Sequence, residues 1–327
     1  MIDFLDATDD LLRQGAAQLS PIFRQAQIDF VLTQQTNNGG FSGSAGPADL
    51  YYTDFAVRCL VMLDGPKQPL RRAAGWVEQQ TPADLIHCFC ALNTRRLLRT
   101  RGILLRELPG PSLAAPGDRT NVPRVSLATP GDRADVPRVS LATAGDRADV
   151  PRVSLATAGD RAYGLFLGLL ISQLRQEPTG DGVSAALTLL RRPDGGFAES
   201  AGGRHGHTNA TAAALASLWL TGEADAEALG SALDFLAARQ TVGGGFCAHP
   251  SIRLADLLST FTALLSLAML GRTDVDLAGV ARFLRQVARP GGGFAATADA
   301  AAPVDVEYTW YGVGLACLLR QLSALSS

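Results

Sequence analysis

Four times along the chain a Gly-Gly-Phe triplet separates an amphipathic stretch from an apolar one, at Gly39-Gly40-Phe41, Gly195-Gly196-Phe197, Gly244-Gly245-Phe246 and Gly292-Gly293-Phe294. The last three copies recur at roughly 50 residues, the kind of period that marks repeat architectures. A unit of that size cannot bury its apolar face alone, so neighbouring units have to stack or close into a ring.

The parts of the unit have separate roles. Residues 228–240 carry apolar side chains at helical spacing with charges on the opposite face, as expected of a half-solvated outer helix. The paired glycines are expected to end that helix, because glycine adopts left-handed backbone angles at least cost, and the Phe then turns back onto the core. Residues 257–270 carry no charge at all, so the second helix is expected to be buried on every side.

Aligning the second helices gives six units, two of them without Gly-Gly-Phe. Each opens on an acidic or polar residue followed three or four places later by another polar one. The pairings are Asp49 with Tyr52 and Thr53, Asp84 with His87 and Cys88, and Asp160 with Tyr163. The later units add His207 with Thr211, Asp256 with Ser259 and Thr260, and Asp305 with Tyr308 and Thr309. One reading is helix capping, since Asp accepts from the first free N–H groups and favours the positive end of the helix dipole. The other is that the six helix starts converge on one mouth lined by Tyr52, His87, Tyr163, Ser259, Tyr308 and Trp310. Both can hold together.

The unit of Gln or Arg, Gly-Gly-Phe and Asp-x-x-x-Thr resembles the prenyltransferase and squalene-cyclase repeat over about residues 25–95 and 160–322. That resemblance implies an all-α fold, an α/α-toroid with a six-fold barrel of inner and outer helices. It also implies a central apolar cavity that takes an isoprenoid. Eukaryotic relatives work with a second subunit, so a protein partner or acceptor is implied as well.

Protein prenyltransferases are similar in holding a zinc ion with Asp-x-Cys on the fifth inner helix and a His on the sixth. The matching positions here are Asp256, Leu258 and Tyr308, so the family zinc is not expected and the cofactor is left undefined. Asp256 and Tyr308 remain the candidate catalytic pair. For the diphosphate, the family uses a His at the fourth inner helix and cations before the fifth. Here Arg204, His205 and His207 stand at the fourth and Arg253 precedes Asp256. The same stretch also reads as a solvated loop. Class II terpene cyclases resemble the fold but need Asp-x-Asp-Asp on an inner helix. The nearest runs, Asp6-Ala7-Thr8-Asp9-Asp10 and Asp274-Val275-Asp276, lie elsewhere, leaving Asp54 or Asp305 with Glu307 as lone acid candidates. Expected functions are therefore, in order, a prenyltransferase-like protein binding a prenyl diphosphate, a non-catalytic lipid-binding or protein-interaction toroid, and a cyclase.

A different repeat runs from Gly117 onward. A 14-residue block beginning Gly-Asp-Arg returns at Gly131 and Gly145 and in part at Gly159, with prolines at 123, 137 and 151. These prolines forbid a continuous helix and the apolar content is thin, so residues 110–159 are expected to form a flexible insertion in a single domain spanning 1–327. Residues 1–24 are expected to be a helical N-terminal extension. A net charge of -2 makes no electrostatic case for nucleic acid. The apolar runs are too short to span a bilayer. Five cysteines lack metal or disulfide spacing, which favours a reducing, cytoplasmic setting.

Overall fold

The computed structural model describes residues 4–105, 161–178, 182–223 and 225–325. Two units are distinguished, residues 1–105 with 153–327 and residues 106–152. The second, and with it the expected insertion at 110–159, lies outside the described residues, as does Asp160.

Within the first unit the sequence builds two concentric sets of helices. The inner set is α3 (Leu50–Met62), α5 (Leu85–Thr100), α6 (Ala162–Arg175), α8 (Thr208–Thr221), α10 (Leu257–Met269) and α12 (Val306–Leu325). Each packs on the next in that order, and α12 packs back on α3, so the ring closes. The outer set is α2 (Pro21–Thr33), α4 (Lys67–Val77), α7 (Val183–Leu190), α9 (Ala226–Ala237) and α11 (Leu277–Val287), each leaning on inner helices. The described residues are thus an all-α, α/α-toroid, with one two-stranded ribbon, β1 (Phe294–Ala295) and β2 (Val304–Asp305).

The Gly-Gly-Phe motif does a different job from the helix stop expected of it. Outer helix α2 ends at Thr33, well before Gly39, and α9 ends at Ala237, well before Gly244. The motif instead forms a small bridged turn that pairs Gln35 with Phe41, Arg191 with Phe197, Gln240 with Phe246 and Ala288 with Phe294. Its first glycine presses against the backbone of the next outer helix. A Cβ on Gly39 would stand 2.6 Å from the Arg72 carbonyl oxygen, and one on Gly195 2.6 Å from that of Ser231; both glycines also adopt positive φ. Only glycine fits such a contact with that backbone.

The Phe is anchored from the inner helix. The Phe41 N–H donates to Thr53 Oγ1 at 2.9 Å, Phe197 to Thr211 at 2.9 Å, Phe246 to Thr260 at 2.9 Å and Phe294 to Thr309 at 3.3 Å. Asp-x-x-x-Thr is therefore a device in which Asp caps the inner helix and Thr fastens the preceding turn. Buried N–H groups need such partners.

At the C-terminal ends of the inner helices lies α1 (Phe4–Ala16). Its Gly15 approaches the Cys317 backbone of α12 so closely that no Cβ could be placed there. Its Thr8 hydroxyl reaches Met269 of α10, and Asp6 and Asp9 pair with Arg96 of α5 at 2.9 and 2.8 Å. Phe4 packs edge-on against Phe166 of α6 and Trp219 of α8, at 5.4 and 5.6 Å. One helix thus touches α5, α6, α8, α10 and α12 and lies across that end of the ring. The expected N-terminal extension resolves into this helix, a short break at 17–20 and the first turn of α2.

Candidate functional site

The starts of the inner helices surround one mouth. Asp49, Asp84, Asp256 and Asp305 accept the N–H groups of Tyr52, His87, Ser259 and Tyr308 at 2.7 to 2.9 Å, so each is a capping residue. His207 occupies the cap position of α8 without a side-chain cap bond, and Arg161 that of α6.

Just inside the mouth is an aromatic lumen. Tyr51 stacks edge-on against Tyr52 at 5.4 Å and Phe55 at 4.9 Å, and Tyr311 meets Phe55 at 5.4 Å, Phe261 at 5.5 Å and Tyr308 at 6.3 Å. Burial pushes the Tyr51, Tyr163 and Tyr311 phenols well above their usual range, and the nearby Glu307 carboxylate adds to the effect. These phenols stay neutral at physiological pH. All three lie deep among protein atoms yet keep accessible surface, the mark of side chains facing an interior space.

On the lumen wall Arg58 pairs with Asp54 at 2.5 Å. The Asp54 carboxylate also accepts from Asn93 at 2.9 Å and Thr94 at 3.1 Å. Burial raises the Asp54 carboxyl, and Arg58 with the two donors pulls it back. Burial opposes the charge on Arg58, but the Asp54 carboxylate outweighs it and keeps the guanidinium above its ordinary value. The guanidinium sits 5.1, 5.4 and 5.8 Å from the ring centres of Phe55, Phe89 and Trp310.

At the rim between α8 and α10, three imidazoles gather. His207 and His249 rings are 4.6 Å apart, and His205 and His249 rings 5.5 Å. Burial lowers the pKa of His207 and then the charge of His249 lowers it further; burial and then His205 and Arg239 do the same to His249. Asp194 lies 3.8 Å from His205. Arg204 and Arg253 stand exposed in the flanking loops. A cluster of this kind gains most from an anion, which relieves the mutual repulsion.

The other sequence-derived positions are spread along the rim. His87 is held by Asp84 through Nδ1 at 2.9 Å. Tyr52 lies under Gly43, and Ser259 is fully buried behind the Asp256 cap. Trp310 belongs to the Arg58 cage. Tyr51, Arg58 and Tyr311 escaped the sequence reading because attention fell on the repeating positions. One signal was available: Asp54 and Arg58 are charges four residues apart in an otherwise apolar helix.

The family zinc set does not fit. The Asp256 carboxylate is engaged as a cap, Leu258 offers no ligand atom and a phenol stands at 308. Among the described residues no group of three or more His, Cys, Asp or Glu is placed to hold a metal ion. No described helix is long and apolar enough to cross a membrane.

No curated protein matches the sequence. Among solved structures, a Candida albicans protein geranylgeranyltransferase-I complexed with GGPP is similar at 14% identity and a TM-score of 0.43, over 93% of this chain and 81% of that one. The family description "Prenyltransferase alpha-alpha toroid domain" matches residues 4–108, 164–247 and 234–326. Because that family match covers most of its length, the chain belongs to the prenyltransferase alpha-alpha toroid family.

Proposed function

We propose that the chain binds a prenyl diphosphate, with the diphosphate at the rim and the hydrocarbon in the aromatic lumen. The observation that carries this reading is that one closed ring of inner helices holds both a three-imidazole corner at the start of α8 and a cluster of tyrosine and phenylalanine rings near the starts of α3 and α12. Arg204 and Arg253 supply the cations, His205, His207 and His249 supply ring N–H donors, and the α8 N-terminus adds its partial positive charge. Tyr52, Tyr163, Tyr308 and Trp310 supply apolar faces near the mouth. Asp256 serves the site by fixing the start of α10, and Tyr308 stands at the start of α12.

Such a site can favour ionisation of the allylic C–O bond: cations stabilise the departing diphosphate and ring faces stabilise the allylic cation. A second reading, binding without group transfer, is favoured by the engagement of Asp256 in capping and by the residues at 258 and 308. Titration with farnesyl and geranylgeranyl diphosphate tests the common part of both readings. Saturable binding that weakens at least about tenfold in the His207→Ala, Arg253→Ala double variant is expected, on the scale of losing charged hydrogen bonds. Equal affinity in the variant removes the rim site. Release of inorganic diphosphate then separates transfer from storage.

A further inference from the structure

Arg58 is an unusual wall for a hydrocarbon pocket. It lies nine residues beyond the Asp49 cap, on the order of 13 Å below the rim at the rise of an α-helix. Residues of four inner helices surround it: Asp54 and Phe55 of α3, Phe89 and Cys90 of α5, Tyr163 of α6, and Trp310 and Tyr311 of α12. The side chain retains 19% of its surface although it lies deep in the ring, so that surface borders the lumen. Its Nε is buried away from that surface and has no acceptor among the described residues, so the group meets the lumen through its other atoms. Asp54 Oδ2 stands 2.5 Å from Nη2 as an ion pair, without the alignment of a hydrogen bond.

A ligand that is hydrocarbon along its whole length would strip water from this guanidinium and give nothing back, which is costly for a charged donor. A second anion is equally unsuited, because Asp54 already supplies the counter-charge and Glu307 acts on the same three tyrosines. We propose that the Arg58 guanidinium is a recognition point for a neutral oxygen, a hydroxyl or carbonyl, carried partway along or at the far end of the isoprenoid. The preferred ligand class is then an oxygenated terpenoid, and Phe55, Phe89 and Trp310 hold the guanidinium in place to receive it. This inference rests on the lumen being the chain-binding space.

The test compares farnesyl diphosphate with its ω-hydroxy analogue on three proteins: wild type, Arg58→Met, and an Asp54→Leu, Arg58→Leu variant. The last replaces the buried pair by apolar side chains and so avoids an orphaned carboxylate. Wild type is expected to bind the hydroxylated ligand about tenfold or more tightly than the plain one, the scale of a hydrogen bond to a charged donor. The doubly replaced variant is expected to reverse the order. Equal affinities in wild type, or an unchanged preference in the doubly replaced variant, overturns the assignment while leaving the prenyl diphosphate site standing. Failure of both ligands to bind wild type overturns the two together.

Discussion

The turns that join outer to inner helices and the wall of the lumen are built on opposite principles. In the turns the same atoms recur: a glycine against the next outer helix, a Phe with 0 to 2% of its surface exposed, and a threonine hydroxyl on its N–H. In the lumen the shared positions carry different side chains: five residues after the capping Asp stand Asp54, Phe89, Phe261 and Trp310. Tyr51, Arg58, Phe89, Tyr163, Phe261 and Tyr311 come from five helices, and Arg58 and Tyr311 have no identical residue at the matching place in another unit. Repetition serves closure of the ring, because each joint must meet the next at the same angle. Recognition needs an asymmetric surface, which only the non-repeating positions provide.

The sharpest way to separate the two is to cut one residue from each. Phe246→Ala in a turn is expected to cost about 3–5 kcal/mol of unfolding free energy, read by chemical denaturation. Tyr163→Phe in the lumen is expected to leave the denaturation midpoint nearly unchanged and to alter ligand affinity. A large loss of stability from the tyrosine change would erase the distinction.

A smaller effect tests the threonine fastening. Thr211→Val keeps the shape but leaves the buried Phe197 N–H without its acceptor, an expected cost of about 1–3 kcal/mol. A cost near zero would show that the turn holds without it. Smaller still is the tie between α1 and the ring. Arg96→Ala removes the bonds to Asp6 and Asp9, one carboxylate exposed and the other mostly buried, for about 1 kcal/mol. Faster amide exchange in residues 4–16 is the matching local readout.

The smallest effect is on pH dependence. The hydrogen bond from Asp84 raises the His87 pKa above 6.5, so its contribution is present in full below 6.5 and fades as pH rises through the folded value. Burial opposes ionisation of Asp84, but the His87 bonds outweigh it and hold its pKa below 3.8, so its share fades as pH falls through that lower value. The pair therefore contributes most between about pH 3.8 and 6.5. His87→Gln is expected to remove well under about 1 kcal/mol in that window, since the pair is half-exposed. His207 acts with the opposite sign. Its lowered pKa means that folding loses stability as pH falls below 6.5, because the native cluster resists the added proton.

The contrast between turns and lumen also explains what was legible in the sequence. Gly39, Phe41 and Thr53 recur with their counterparts at a readable spacing, so the toroid and the convergence of helix starts could be inferred before any coordinates. The motif's local role was misjudged, because a glycine pair after a helix looks the same whether it ends the helix or accepts a neighbour's backbone. The neighbour, Arg72 beside Gly39 or Ser231 beside Gly195, lies more than thirty residues away. The sequence reading reached this region at the repeating Tyr52, Tyr163 and Tyr308 and at Trp310 and Asp54. Arg58 and Tyr311 have no counterpart in other units, and their meeting depends on ring closure between α3 and α12, which sequence separation conceals.

The most direct test of the lumen as the binding space is hydrogen exchange of the full chain with and without saturating geranylgeranyl diphosphate. Protection is expected in the first two turns of α3, α6, α8 and α12, at or beside Tyr51, Tyr163, His207 and Tyr311, with little change in outer helices α4, α7 and α9. Protection confined to the outer helices, or no change anywhere at saturating ligand, would contradict the account.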